Sequence, residues 1–272
     1  MPLDVAARVV RHQQINPDHF LLTLHSPAIA RAARAGQFVM LQAREGSQPL
    51  LRRPMSICRI PPGRGGRLEI LYRVVGEGTR YLSRQPRGAY LRTLGPLGNG
   101  FRLPERVPAR RSGRLPVLVS GGIGIAIFPF LVDALRERRQ RPLLLYGART
   151  RRDLVALDLF RARRVPARLA TEDGSAGSKG LVTRLLRPLL ESRSRREPVE
   201  VYACGPTPML RAVAEMALRH GAPCQLALES HMPCGIGVCL GCVVRCAGSD
   251  PRPAFRRVCT EGPIFEASEV AL

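Results

Sequence analysis

The sequence predicts a multi-domain protein: an antiparallel β-barrel, then an α/β domain built on a parallel sheet, then a small C-terminal domain organised around cysteines. Three observations carry that expectation. Residues 1–103 hold short apolar runs of strand length punctuated by Gly and Pro. Residues 112–228 alternate strand-like and helix-like segments. Five of the eight cysteines fall between Cys234 and Cys259, inside the last stretch, 229–272.

In the first unit the runs at 20–24, 38–41 and 67–75 have strand length, with turns marked by Pro61-Pro62-Gly63 and Gly95-Pro96-Leu97-Gly98. Several short strands separated in this way fit an antiparallel barrel or sandwich. Residues 104–113 are polar, Arg-rich and bracketed by Pro and Gly, the composition of a linker. The rhythm then changes. Strands are expected at 117–120, 143–146, 167–171, 199–203 and 225–228, and helices at 130–139, 153–164, 181–190 and 208–219. Such alternation gives a parallel sheet with helices on both faces. The segment from about Glu229 is Gly- and Cys-rich and too short for an unaided core, so a metal would stabilise it. There is no internal repeat.

The formal net charge is +22 over 272 residues, which by itself would suggest nucleic acid or a membrane surface. The positive charge is nearly all Arg, Lys179 being the single lysine. With abundant Ala, Pro, Gly and Leu, this reads as a compositional bias, and the arginines spread along the chain with only short clusters at 136–141 and 193–196. The chain has no Trp and few other aromatics, so base-stacking platforms are scarce. No nucleic-acid partner is expected; the charge suits an acidic protein partner or anionic cofactors. The first ten residues include Asp4 and Arg8 and lack the apolar core of a signal peptide. The one long uncharged run, 115–132, is interrupted by Pro116, Gly121, Gly122, Gly124 and Pro129, as a strand, a turn and a helix start would be. A cytoplasmic protein without a membrane segment is expected.

The cysteines are the firmest signal. Cys234, Cys239 and Cys242 are spaced C-x4-C-x2-C, and Cys259 follows at a distance. That is the plant-type ferredoxin arrangement for a [2Fe–2S] cluster. Gly235, Gly237 and Gly241 let the backbone curl around a cluster and aim N–H groups at its sulfurs. A structural zinc site is the alternative, but it usually comes as two C-x2-C knuckles. Cys246 lies close enough in sequence to replace a neighbour as ligand, or to be a stray thiol on the following strand or turn.

Upstream lie signals for a flavin and a nucleotide. Arg53-Pro54-Met55-Ser56 follows a barrel-type strand; the Arg suits a pyrophosphate, and the Ser hydroxyl or a backbone N–H suits a ring nitrogen. Leu71-Tyr72-Arg73 brings an aromatic and a second cation to a strand end. The glycines of Gly76-Glu77-Gly78-Thr79 allow an anion-binding nest with Thr79 as a further donor, or else a plain hairpin turn. Gly121, Gly122 and Gly124 follow a strand and open a helix, a geometry that receives a pyrophosphate. Cys204, Gly205 and Pro206 fall at the C-terminal end of a later strand, where parallel sheets bind ligands. Cys204 is placed to approach a nicotinamide, although a small core thiol is the ordinary role of a lone Cys.

Taken together, these pieces resemble the ferredoxin reductase superfamily, a flavin barrel followed by a NAD(P) domain. Within it, the cysteine loop makes the chain similar to the electron-transfer subunits of two-subunit, NAD-dependent dihydroorotate dehydrogenases (type B), enzymes of pyrimidine biosynthesis. The resemblance spans nearly the whole chain and is most specific at 53–56, Gly95-Pro-Leu-Gly-Asn-Gly-Phe101, 202–206, the cysteine loop, and Arg257-Val-Cys-Thr-Glu-Gly-Pro-Ile-Phe265. It implies FAD held by Arg53, Pro54, Met55, Ser56, Leu71, Tyr72, Arg73, Gly78 and Thr79. It also implies a cluster on Cys234, Cys239, Cys242 and Cys259. The chain departs from the family at the glycine turn, where Ala126 is followed by Ile127 in place of Pro, and Ser120 stands where a further Gly is common.

A nicotinamide exchanges two electrons as hydride and a [2Fe–2S] cluster one at a time, so a flavin has to stand between them. No paired carboxylates, Ser/His dyad or substrate base remains in the sequence for chemistry on an organic substrate. The resemblance therefore implies a separate FMN-containing dihydroorotate dehydrogenase catalytic subunit, in a heterotetramer of two plus two. Two other readings stand beside it: a reductase subunit of a sulfide dehydrogenase or NADPH–ferredoxin oxidoreductase, and a basic zinc-binding nucleic-acid module. NAD is the expected coenzyme; Glu172 or Asp173 would accept from its ribose, whereas Arg149 or Arg151 would suit a 2′-phosphate.

Overall fold

A computed structural model describes residues 2–42, 50–63, 65–105, 113–193, 198–248 and 254–272. Most of the expected linker, and most of the Arg cluster at 193–196, lie outside the described residues.

The first unit comprises β1 (Leu3–Asn16), β2 (His19–His25), α1 (Pro27–Ala32), β3 (Phe38–Leu41), β4 (Arg53–Ser56), β5 (Arg67–Arg73), α2 (Glu77–Ser83) and β6 (Tyr90–Leu97). Its six strands run antiparallel in the order β4-β3-β6-β1-β2-β5. The edge strands β4 and β5 come back alongside each other and nearly close a barrel. Alternate side chains point inward, so Ala7, Val9, Leu22, Leu24, Val39 and Ile70 fill its interior. Each such buried Leu, Ile or Val contributes about 1.5–3 kcal/mol.

The second unit comprises β7 (Leu115–Gly121), a 3-10 segment (Gly122–Ile127), α3 (Phe128–Glu137), β8 (Leu143–Ala148), α4 (Leu157–Arg161), β9 (Ala167–Thr171), β10 (Ser178–Lys179), α5 (Thr183–Arg193), β11 (Val199–Cys204), α6 (Thr207–Arg219) and β12 (Cys224–Ala227). These strands are parallel, in the order β10-β9-β8-β7-β11-β12. Helices α5 and α6 cover one face and α3 and α4 the other. The helix expected at 153–164 is cut to Leu157–Arg161, because Ala156 takes a left-handed conformation with φ 58° that starts the helix late.

The C-terminal segment holds a two-stranded ribbon, β13 (Val243–Arg245) with β14 (Phe255–Arg257), and then β15 (Ile264–Glu266). β15 joins the nucleotide sheet as an antiparallel edge beside β12. The cysteine segment thus has no separate core. Cys242, Val258, Cys259 and Phe265 pack in one apolar cluster with Met40 of the barrel and Leu226 of the sheet. Among the described residues no helix is long and apolar enough to cross a membrane.

One buried carboxyl lies in this sheet. Glu200 on β11 is 8% exposed, and burial holds it above the usual carboxylate range against the pull of the Tyr202 hydroxyl, Arg114 and Gln225. Its ionisation near neutral pH therefore opposes folding. Glu200→Gln is expected to raise the thermal unfolding midpoint near neutral pH, and the gain should vanish as pH falls below about 4, where the unfolded chain is protonated too. A gain of equal size at both pH values in thermal melts would contradict this account.

Candidate functional site

A cavity of about 480 Å³ opens where the three parts of the chain meet. From the barrel it receives the β4 tetrapeptide 53–56, residues 71–73 at the end of β5, and Gly78 and Thr79 of α2. Pairing of β4 with β3 aligns Arg53 opposite Leu41 and Ser56 opposite Phe38. Gly78 lets Arg53 approach closely: a Cβ there would lie 2.0 Å from Arg53 Nε and 2.3 Å from its Cζ, so a larger residue would displace the guanidinium. The guanidinium therefore lies across the start of α2 and also donates to the Leu51 carbonyl.

Two side chains are committed elsewhere. The Thr79 hydroxyl accepts from the Val75 and Gly76 amides at 2.9 and 3.1 Å and donates to the Gly76 carbonyl at 3.0 Å. Thr79 is thus the lock of the turn that opens α2, and the first-turn amides of that helix are left without intrahelical acceptors. Tyr72 borders the cavity, but its hydroxyl bonds His12 Nε2 at 2.9 Å and its ring stacks on Phe20 at 5.7 Å.

The nucleotide sheet supplies the second wall through Ile123, Ala126 and Ile127 of the 3-10 segment and Cys204 at the end of β11. Gly121, Gly122 and Gly124 do not line the cavity, nor do Gly205 and Pro206. They bring the two strand ends together. A Cβ on Gly124 would stand 2.4 Å from the Cys204 carbonyl oxygen, and one on Gly121 2.9 Å from Pro206 Cδ. The expected helix start is instead a 3-10 turn across Gly122–Ile127, with α3 beginning at Phe128. Cys204 is buried, and its thiol is held well above its ordinary range by burial and by the charge of Glu229. It is a neutral thiol facing the cavity.

The third wall was not foreseen from sequence. Leu228, Glu229, Ser230, His231 and Met232, with Pro263 from beyond the cysteines, close the cavity on the C-terminal side. Neighbouring protein atoms desolvate the Glu229 carboxyl and hold it above its usual range, although the residue itself is exposed at the cavity edge. The available signal was positional: these residues follow the C-terminal end of the last parallel strand, the edge where such sheets take ligands.

Next to this wall lies the cysteine loop. Gly235 and Gly237 adopt φ of 74° and 83°, and a Cβ on Gly235 would stand 2.6 Å from Met40 Cγ of the barrel. The thiols fall into two neighbouring pairs, Cys234 with Cys239 and Cys242 with Cys259. Burial acts to raise the Cys234 thiol, but donation from the Cys239, Ile236 and Val238 amides and the Cys239 thiol brings it down to about 6. Cys259, against Cys242, is pushed up to about 12 by burial and that neighbour. The Gly241 amide donates to Cys239 Sγ and the Cys259 amide to Cys242 Sγ, each at 3.4 Å. Among the described residues no three His, Cys, Asp or Glu side chains gather as for a single ion. Thiols in two pairs, with amides aimed at sulfur, fit a two-iron centre, each iron taking two cysteines. Cys246 stands apart after β13, its amide bonded to the Ala254 carbonyl and its strand bridged to Val270.

Comparison with known proteins agrees with this arrangement. A family model described as the iron-sulfur cluster binding domain of dihydroorotate dehydrogenase B matches residues 229–271, and one described as an oxidoreductase NAD-binding domain matches 118–215. A dihydroorotate dehydrogenase B (NAD(+)) electron transfer subunit from Bacillus caldolyticus is 39% identical over 92% of this chain and 92% of its own. The chain belongs to the dihydroorotate dehydrogenase B (NAD(+)) electron transfer subunit family. A member of that family from Desulforamulus reducens is 35% identical over 97% of both chains. Among solved structures, an NADH-dependent reduced ferredoxin-NADP oxidoreductase studied for flavin-based electron bifurcation superposes with a TM-score of 0.81 at 30% identity, covering 98% of this chain and 90% of that one. As a dihydroorotate dehydrogenase B electron transfer subunit, the chain has the ferredoxin reductase-like fold, the NAD-binding domain and the iron–sulfur domain expected from its sequence.

Proposed function

We propose that this chain is the electron-transfer subunit of a cytoplasmic, two-subunit NAD-dependent dihydroorotate dehydrogenase, assembled two plus two with an FMN-containing catalytic subunit. On this reading FAD occupies the cavity between barrel and sheet, NAD the sheet edge at Gly121, Gly122, Gly124, Cys204, Gly205 and Pro206, and a [2Fe–2S] cluster the four cysteines. Together these groups convert between single-electron transfer and hydride transfer, the flavin being the one able to do both. The division into units of 1–103, 112–228 and 229–272 follows the same assignment.

The observation that carries the reading is the meeting of three walls at one cavity: barrel, sheet edge and cysteine segment. Each residue type suits its part. Arg53 offers a fork of donors to a pyrophosphate beside the free amides of α2. Cys204, kept neutral, gives a small unreactive contact for a nicotinamide. Buried Cys242 and Cys259 hold the inner pair of ligands away from water, whereas Cys239 is exposed.

The same loop presents Ile236, Val238 and Leu240 to solvent, with Val243 and Phe255 on the adjacent ribbon. An apolar patch around a cluster ligand suits an electron-donating protein partner. In the co-purified pair, dihydroorotate is expected to drive NAD+ reduction, measured as NADH absorbance. NAD+ reduction no faster with dihydroorotate than without it would overturn the assignment. The likeness to the ferredoxin-NADP oxidoreductase structure favours a second reading, a reductase with a ferredoxin-type donor. Reduced ferredoxin in place of dihydroorotate in that assay separates the two.

A further inference from the structure

Two of the sequence motifs, 95–101 and 257–265, meet face to face. Asn99, just past β6, is where they join. Its side chain is fully used on the backbone of the other motif. Nδ2 donates to the carbonyls of Glu261 and Ile264 at 3.0 and 2.8 Å, and Oδ1 accepts from the Ile264 amide at 2.9 Å. The Asn99 amide also donates to the Gly262 carbonyl at 2.6 Å. Beside it, Gly98 has φ 72°, and a Cβ there would stand 2.5 Å from Pro263 Cδ. Gln37 braces this corner by donating to the Gly98 carbonyl at 2.8 Å.

The clamped segment has a definite position. It begins directly after Cys259, and Pro263 within it lines the cavity. From its far side the Pro263 carbonyl accepts from the Leu228 amide at 2.9 Å, which ties it to the sheet. The segment is therefore the covalent path from a cysteine ligand to the cavity wall, and Asn99 is the barrel's hold on it. No other amino acid presents two donors and an acceptor at that reach; Gln is one methylene longer and Asp has no donor.

We infer that Asn99 is a positioning residue that seats the segment 259–264 against the cavity and thereby sets the coupling between the cysteine-bound cluster and the cavity-bound flavin. This rests on the cofactor assignment proposed above. Misplacement matters because electron transfer between two fixed groups weakens as their separation grows and as the covalent path between them shifts.

The test uses the full chain with its cofactors, as wild type, Asn99→Ala and Asn99→Asp. Ala removes all three side-chain bonds, whereas Asp keeps the acceptor for the Ile264 amide. On anaerobic mixing with NADH, flavin bleaching is expected at the wild-type rate in both variants. The electron paramagnetic resonance signal of the reduced cluster, in freeze-quenched samples, should rise severalfold more slowly in Ala and less so in Asp. Independently of turnover, hydrogen exchange at the Ile264 and Leu228 amides should quicken in Ala.

Cluster reduction at the wild-type rate with unchanged exchange would overturn the inference. So would slowing of flavin bleaching and cluster reduction together in both variants, which marks a general structural role. Should Ala not yield folded protein, Asp alone decides on the same criteria. A wild-type protein lacking flavin or cluster would instead sink the proposed function itself.

Discussion

Cys242→Ser is expected to abolish the visible absorption and the paramagnetic signal of the cluster, whereas Cys246→Ser should leave both intact. Cys242 is 2% exposed, pairs with Cys259 and accepts from the Cys259 amide. A serine hydroxyl in that apolar pocket neither ionises readily nor offers a soft sulfur donor. Cys246 is fixed after β13 by the Ala254 carbonyl and the bridge to Val270, so recruiting it would unpick the ribbon. Iron and acid-labile sulfide analysis of both variants checks the prediction. A bleached Cys246→Ser protein, or a coloured Cys242→Ser protein, would mean that the ligand set is wrong. A colourless wild type loaded with zinc would remove the cluster altogether.

Flavin binding should fail almost as sharply in Gly78→Ala. The added methyl would stand 2.0 Å from Arg53 Nε and 2.5 Å from its Nη2, so the guanidinium must leave its place across α2. Hydrogen bonds to a charged partner contribute about 1.5–3 kcal/mol each. Losing one of them weakens flavin retention by roughly 10–150-fold, and losing a bidentate contact by more. Arg53→Lys should fall between wild type and Gly78→Ala, because it keeps the charge without the fork. The flavin-to-protein ratio after gel filtration, with circular dichroism to confirm the fold, measures both. Full flavin occupancy in Gly78→Ala would show that Arg53 does not reach the pyrophosphate.

What could be read from sequence was what is local. The strands β3 and β9 match the expected runs at 38–41 and 167–171 residue for residue; for β3 the reason is a continuous apolar stretch bounded by turns, which leaves little latitude. β1 escaped notice although it is the longest strand described. Its outward positions are Arg8, Arg11, Gln13 and Gln14, so only alternate residues carry an apolar signal, and a dilute one. The cysteine loop was legible as a unit because three of its thiols lie within nine residues. The cavity's third wall was not, because Glu229 and Pro263 are brought together by the return of the chain along β12. The close packing of the turn at 121–124 was not legible either: Gly121 and Gly124 let two strand ends touch, a contact between distant segments that only the folded sheet creates.

The return strand β15 also has a consequence for how the protein matures. It pairs with β12 through Ala227–Ile264, Leu226–Phe265 and Gln225–Glu266, and it can do so only after the cysteine loop has folded back. Until the loop closes, β12 is left as an open sheet edge with apolar neighbours, the kind of surface that proteases and other unpaired strands recognise. If cluster insertion closes the loop, protein depleted of iron is expected to be cleaved faster than reconstituted protein. Limited proteolysis of iron-depleted and reconstituted protein should show that difference first at the residues beside β12.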